Sequence, residues 1–262
     1  MPDHPRLSAA YAPLLLRPDA PSPLVLSLPH SGTRVPDFLR CALRPGAEIR
    51  LPGCDAHLPE LLPDDLPAAA VINPWVRAAA DVNRPPHPQP GGPRSGCLFP
   101  LDGADGAPLY RRRLTPKAIE MRLTRIHRPY HAALEQTLAD RVRTHGSAVL
   151  LDLHSFPAAA APEIDAVLGD LNGRSAPDAL TARLEALLHA EGLRTARNAP
   201  FPGGYILRRH ASDHIYAVQL ELSRAWYAAP GTPRFADASA ALRRVLTAFL
   251  AQLSEMRIQK DR

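Results

Sequence analysis

An apolar run that closes on a histidine, Leu150-Leu151-Asp152-Leu153-His154-Ser155, constrains this chain more than any other stretch. Leucines interrupted by one carboxylate read as a buried strand of a parallel sheet. His154 then sits at or just past the strand's C-terminal end. In open α/β sheets ligands bind there, in the crevice outside the carboxyl ends of the strands. A second run, Leu24-Val25-Leu26-Ser27-Leu28-Pro29-His30-Ser31-Gly32, has the same form. Two strands that each end in His-Ser suggest two metal ligands converging on one crevice.

The rest of the chain alternates strand and helix signals. Residues 1–22 are a Pro-rich lead-in with a short strand at 13–16, and further short apolar strands are expected at 24–28, 69–73, 78–82, 147–153, 193–197 and 216–222. Over 116–144, Ile119, Leu123, Ile126, Tyr130, Leu134, Leu138 and Val142 recur at helical steps. Thr115 is the N-cap, Pro116 the first helical residue and Gly146 the stop, while Pro129 should kink or split the helix. Other helices are expected at 55–62, 176–191 and 235–255. Residues 84–109, rich in Pro and Gly, are long for a loop and read as a functional loop or lid. Strands interleaved with helices mean an α/β fold with a mixed or mostly parallel sheet.

Composition narrows the function classes. With 31 Lys and Arg against 26 Asp and Glu the formal charge is +5, yet the arginines are scattered and aromatics are only 5%. Nucleic-acid binding needs a basic stripe or stacking platforms, so no nucleic-acid partner is expected. A positive field around a crevice for a small anionic substrate is the better use of the excess. Cys41, Cys54 and Cys97 are odd in number, widely spaced and lack C-x-x-C, which fits a reducing cytoplasm rather than a disulfide framework. Residues 1–28 mix Asp3, Arg6, Arg17 and Asp19 with prolines, so neither a signal peptide nor a membrane partner is expected. Oligomeric state is left open.

A histidine at a strand end is by itself most often structural. A shared setting changes the weight, because a catalytic zinc takes three protein ligands and leaves one position open. The third ligand should be a carboxylate or another histidine. Asp55 and His57, in Cys54-Asp55-Ala56-His57, are the candidates, although Asp55 reads equally well as a helix N-cap. His57-Leu58-Pro59-Glu60 matches H-x-x-E, but Pro59 disturbs the spacing. In His127-Arg128-Pro129-Tyr130-His131 an arginine stands where a catalytic glutamate would, so these histidines read as structural or supporting. The run Ala80-Asp81-Val82-Asn83-Arg84-Pro85 delivers an amide and a planar fork suited to a carboxylate, with a surface ion pair as the alternative. Glu221, inside Val218-Gln219-Leu220-Glu221-Leu222, is costly to bury unless paired or functional. A general base beside a metal-activated water is one such function.

Taken in order, these segments resemble the zinc carboxypeptidase-like superfamily, and within it the N-formylglutamate amidohydrolase (deformylase) family. The resemblance is carried by Leu28-Pro29-His30-Ser31-Gly32-Thr33, Asp55-Ala56-His57, Asp81-Val82-Asn83-Arg84-Pro85-Pro86, Pro108-Leu109-Tyr110, Arg128-Pro129-Tyr130-His131, Asp152-Leu153-His154-Ser155, Gly203-Gly204-Tyr205-Ile206 and Gln219-Leu220-Glu221-Leu222. It implies one domain over 1–262, a three-layer α/β/α fold around a mixed, mostly parallel sheet. It also implies one zinc ion and hydrolysis of N-formyl-L-glutamate to formate and glutamate, the last step of one histidine-degradation route.

Carried onto this chain, His30 and His154 match zinc ligands. Thr33 stands where carboxypeptidases place the second ligand, so Asp55 is the replacement and His57 the reserve. Asn83 and Arg84 match the residues that hold a substrate carboxylate. Arg77 and Arg208 are available for the other carboxylate or the oxyanion, and Tyr205 is a neighbour candidate. Glu221 matches the general base. Ala56 replaces an expected aromatic, and Gly169-Asp170-Leu171-Asn172-Gly173-Arg174 only approximates the family's substrate-side loop. The alternatives are a carboxypeptidase-like peptidase and a non-enzymatic basic binding module.

Overall fold

The apolar runs pair into a single seven-stranded sheet. The computed structural model describes residues 11–47, 51, 53–55, 57–86, 99, 101–103, 106–227 and 229–255. Its strands are β1 (Leu14–Leu16), β2 (Leu24–Leu28), β3 (Ala69–Ile72), β4 (Ala148–Phe156), β5 (Ala166–Gly169), β6 (Thr195–Arg197) and β7 (Ile215–Ser223), in the order β1-β3-β2-β4-β7-β5-β6. Strand β2 runs parallel to β3 and β4, β4 parallel to β7, and β5 parallel to β6; β1 on β3 and β5 on β7 are antiparallel. The sheet is therefore mixed and mostly parallel.

Helices cover both faces: α1 (Asp37–Ala42), α2 (Leu58–Leu61), α3 (Pro116–Arg122), α4 (Arg128–His145), α5 (Asp178–Ala190), α6 (Tyr205–His210), α7 (Arg224–Tyr227) and α8 (Pro233–Glu255). On one face Leu24, Leu26, Val149, Leu151, Val218 and Leu220 pack against Leu61 of α2, Leu184 of α5 and Leu246 and Phe249 of α8. On the other, Val25, Val71, Leu150 and Ala217 meet Leu39 of α1, Tyr130 and Leu134 of α4 and Ile206 of α6. Burial on both sides explains why these strands lack hydrophobic alternation.

The period of two then places the polar residues. Ser27 follows Val25, Asp152 and His154 follow Leu150, and Gln219 and Glu221 follow Ala217, so all five point to the α4 side of the sheet. The register sets Ser27 beside Asp152, Asp152 beside Gln219, and His154 beside Glu221. Buried Asp152 is satisfied in part by Ser27, whose Oγ donates to its Oδ1 at 2.6 Å and lies 2.8 Å from the Tyr130 hydroxyl. His154 lies inside β4 rather than past its end, because pairing with the nine residues of β7 extends the strand to Phe156.

The long helix starts and stops as its sequence demands. Thr115 Oγ1 accepts from the Ala118 amide at 3.2 Å, and Gly146 closes α4 with φ of 79°. Pro129 neither breaks nor splits it. Proline has no N–H for the carbonyl four residues back, and the ladder widens into a π turn over Leu123–His127 that leads directly into α4.

Other expectations need correction. Residues 78–82 are not a strand. Both edges of β3 are taken, by β1 and β2, so the run folds into turns whose Ala78, Ala79, Ala80 and Val82 fill the core. The expected 55–62 helix shrinks to the four residues of α2. Strand β5 and helices α1, α6 and α7 are further elements beyond those expected from the sequence. Most of the 84–109 loop, Cys97 included, lies outside the described residues. Among the described residues no helix is long and apolar enough to cross a membrane.

Buried Asp170 joins the loop after β5 to the loop after β6. Its Oδ1 accepts from the Gly173 amide at 2.9 Å and from Asn198 Nδ2 at 2.8 Å, and its Oδ2 accepts from Thr181 Oγ1 at 3.0 Å. The Leu171 amide in turn donates to the Pro202 carbonyl at 2.8 Å. Asp170→Ala leaves these donors unsatisfied. It is expected to lower the urea midpoint by an amount equivalent to about 1–3 kcal/mol, with an unchanged slope in equilibrium unfolding; an unchanged midpoint would remove Asp170 as the tie.

Candidate metal centre and substrate cavity

Three loops and strand ends bring His30, Asp55 and His154 together, all buried, with one ligand atom from each within 4.8 Å of the others. Asp55 Oδ2 is the shared point, 3.8 Å from His30 Nδ1 and 3.2 Å from His154 Nδ1. The far nitrogens are held elsewhere: His30 Nε2 lies 2.7 Å from Asp81 Oδ1, and His154 Nε2 lies 2.9 Å from Asp152 Oδ2. Carboxylates on Nε2 orient both rings so that Nδ1 faces Asp55, which is how histidine ligands are commonly fixed. Two imidazole nitrogens and one carboxylate oxygen form a donor set suited to zinc. These residues fit the ion.

The electrostatics agree. Burial lowers His30 toward the neutral form a ligand requires, against the opposing pull of Asp81. Burial also acts to lower His154, but the charges and hydrogen bonds of Asp152, Asp55 and Glu221 win and hold a proton on it. A divalent cation on Nδ1 takes the place of such a proton. Burial drives Asp81 up, yet His30 and Arg77 together hold it far below the usual carboxylate range. Glu221 is the exception. Burial pushes it up to about 7 against His154, with Asp55 and Asp152 adding to the rise.

These groups open onto a cavity of about 360 Å³ walled by Arg77, Asn83, Arg84, Phe156, the Pro200–Gly204 turn, Gln219, Glu221 and Arg224. Arg77 Nε donates to Asp81 Oδ2 at 2.7 Å. Arg84 bonds the Asn83 carbonyl through Nη1 at 3.0 Å, while its buried Nε has no hydrogen-bond partner. The Asn83 carboxamide accepts from the Ile206 amide at 2.9 Å and sets its Nδ2 3.1 Å from His154 Nε2. Gly204 is required beside it, because a Cβ there would overlap the Asn83 side chain. Gln219 Nε2 donates to Glu221 Oε1 at 3.1 Å.

Two expected site residues stand off the cavity wall. Tyr205 packs its ring on His127 and His131, with centroids 5.9 and 5.3 Å away. Arg208, on α6, feels Arg84 and Arg174, although burial is the main cause of its lowered pKa. His57 faces away as well. It is exposed, left-handed at φ of 68°, and bonded through Nδ1 to Glu60 at 2.8 Å. Asp55, not His57, joins the two buried histidines. The N-cap of α2 is His57, not Asp55.

Sequence reasoning passed over Asp81, Asp152, Ser155 and Arg224 as site residues. Asp152 carried a usable signal, since it is two residues from His154 and shares its face. Arg224 carried none, because only the parallel pairing of β7 with β4 brings the residue after β7 to Asp55.

The sequence profile of the N-formylglutamate amidohydrolase family matches residues 22–228. The chain belongs to that family. Two relatives named N-formylglutamate deformylase agree: one from Pseudomonas aeruginosa, 36% identical over 88% of this chain and 92% of its own, and one from Pseudomonas putida, 36% identical over 78% and 81%. The crystal structure of N-formylglutamate amidohydrolase from Ralstonia eutropha JMP134 superposes with a TM-score of 0.80 at 25% identity, covering 95% of this chain and 99% of that one. The matched span holds every residue of the metal group and the cavity wall.

Within this family member the His127-x-x-x-His131 pair supports the wall from behind. His127 Nε2 donates to the Arg84 carbonyl at 2.9 Å, His131 Nε2 donates to the Val82 carbonyl at 2.9 Å, and His131 Nδ1 accepts from His210 Nε2 at 2.9 Å. Burial lowers all three histidines, His210 to about 4. Unfolded histidine titrates near ~6.5, so the unfolded chain binds more protons between these values and stability falls as pH falls. The three histidines are expected to withdraw a few kcal/mol of unfolding free energy from about pH 6.5 to 4, while Glu221, raised to about 7, contributes in the opposite direction over much of that range. His210→Phe should flatten that slope in pH-dependent urea melts, and an equally steep slope would assign the loss to other groups.

Proposed function

We propose that this chain is a zinc-dependent amidohydrolase that cleaves the formyl amide of N-formyl-L-glutamate to formate and glutamate. Membership of the family supports the reaction class. The observation that carries the chemistry is Glu221 set beside His154 on adjacent strands, both open to one cavity. The ion would be held by His30 Nδ1, Asp55 Oδ2 and His154 Nδ1. Bound there, zinc supplies Lewis acidity toward the formyl carbonyl and toward water.

The chain's own residues supply the rest. Glu221, buried and raised to about 7, is suited to take a proton from the attacking water near neutral pH. Gln219 holds its Oε1 and so sets which way the carboxylate faces. As the C–N bond breaks, Glu221 returns that proton to the leaving amine nitrogen, and formate and glutamate separate. Arg84, on the cavity wall with its Nε 4.0 Å from Asp81 Oδ2, is the first choice for a substrate carboxylate. Arg77 stands beside it to meet the second carboxylate or the developing oxyanion. Asn83 positions both by tying the Arg84 segment to α6. Arg208 adds to the positive field around Arg84, and Tyr205 acts through the histidines it packs on. This reading extends to a cytoplasmic enzyme of histidine degradation acting on a small anionic substrate, which cysteines without a disulfide framework support.

Formate release from N-formyl-L-glutamate tests this reading. Wild-type protein with zinc is expected to turn over, and removal of metal by a chelator should abolish activity until zinc is returned. Glu221→Gln should lose roughly 10²–10⁴-fold in kcat with little change in KM. Arg84→Ala should mainly raise KM, by roughly tenfold or more. Release of an amino acid from a dipeptide, with no formate from the formyl substrate, would favour a peptidase instead.

A further inference from the structure

We infer that Ser155 and Arg224 lock Asp55 as a one-oxygen metal ligand, which makes Arg224 a positioning residue of the metal centre. The inference rests on the reading of His30, Asp55 and His154 as a metal site. It explains two residues that the reaction leaves unused.

The two oxygens of Asp55 have different surroundings. Oδ2 faces the two Nδ1 atoms. Oδ1 accepts from Ser155 Oγ at 3.1 Å and from Arg224 Nη2 at 3.3 Å, and Ser155 Oγ itself accepts from Arg224 Nε at 3.0 Å. The three side chains close a triangle. Successive residues of a strand point to opposite faces, so His154 and Ser155 grip the same carboxylate from the two sides of β4. Each takes a different oxygen.

Such a clamp answers a problem set by the local chain. Asp55 lies in neither a strand nor a helix, and its backbone is tied by its amide to the His30 carbonyl at 2.9 Å and by its carbonyl to the Leu58 amide at 3.5 Å. A carboxylate on a turn is free to rotate and offer both oxygens to a cation. With Oδ1 occupied by a hydroxyl and a guanidinium, only Oδ2 remains for the ion. Arginine suits the task because its planar fork reaches Ser155 and Asp55 at once, which a lysine ammonium cannot do with the same geometry. Ser155 is buried at the end of β4, and Arg224 begins α7 directly after β7. The clamp is therefore assembled from the same strand pair that sets Glu221 beside His154.

The test is metal affinity rather than turnover. Zn²⁺ binding to the full chain is measured by competition with a chromophoric chelator for wild type, Ser155→Ala, Arg224→Met, Arg224→Lys and the Ser155→Ala/Arg224→Met double variant. Each removal is expected to weaken Zn²⁺ binding 10–100-fold. The double variant should lose less than the product of the singles, since they break one network. Arg224→Lys should recover part of the loss. In the Co²⁺-substituted protein the visible d–d absorption should weaken in Ser155→Ala and Arg224→Met, as Asp55 becomes free to add its second oxygen. Wild-type Zn²⁺ affinity and an unchanged Co²⁺ spectrum in these variants, with only KM raised, would overturn the clamp and leave Arg224 a substrate contact. Wild-type protein that binds neither ion would overturn the metal reading itself.

Discussion

Which nitrogen of His30 and His154 faces inward depends on two buried carboxylates, and the rest of the site depends on that choice. Asp81 takes Nε2 of His30 and Asp152 takes Nε2 of His154, so both Nδ1 atoms turn toward Asp55. A buried carboxylate is costly unless its lone pairs are used. Asp81 meets that requirement with His30, Arg77 and the Asn83 amide, and Asp152 meets it with His154 and Ser27. The same bonds that satisfy the carboxylates align the rings. Stability and the orientation of the two rings are thus supplied by one set of contacts.

This arrangement makes the sheet's register part of the chemistry. His154 and Glu221 are adjacent because β4 and β7 pair over nine residues each. A one-residue slip would turn Glu221 to the opposite face. Continuous leucine and valine burial on both faces holds that register, and the helices that cover the sheet close the rear of the cavity. The histidines of the long helix stand behind the cavity: they hold the carbonyls of Val82 and Arg84, and through them the cavity wall.

Much of this was legible beforehand, and particular residues show why. His154 and Glu221 announced themselves because a charged or ligating group inside an apolar strand run needs a reason. The 78–82 segment misled because apolarity reports burial, not pairing. Its alanines are buried, but no free strand edge was available to receive them. Strand β5 was passed over although it is as long as β3, and Pro129 was read as a breaker when a wider turn could absorb its missing N–H.

By itself the sequence determined the α/β class, the strands that carry His154 and Glu221 and lead to His30, and the family, because apolar runs and the order of motifs are properties of the linear chain. The tertiary structure alone decided between Asp55 and His57, since that choice turns on which of the two side chains is buried. It alone assigned partners to Asp81 and Asp152, and it alone brought Arg224 to Asp55 across 169 positions. Side-chain direction at a turn and contact between distant segments depend on packing, and no local pattern encodes them.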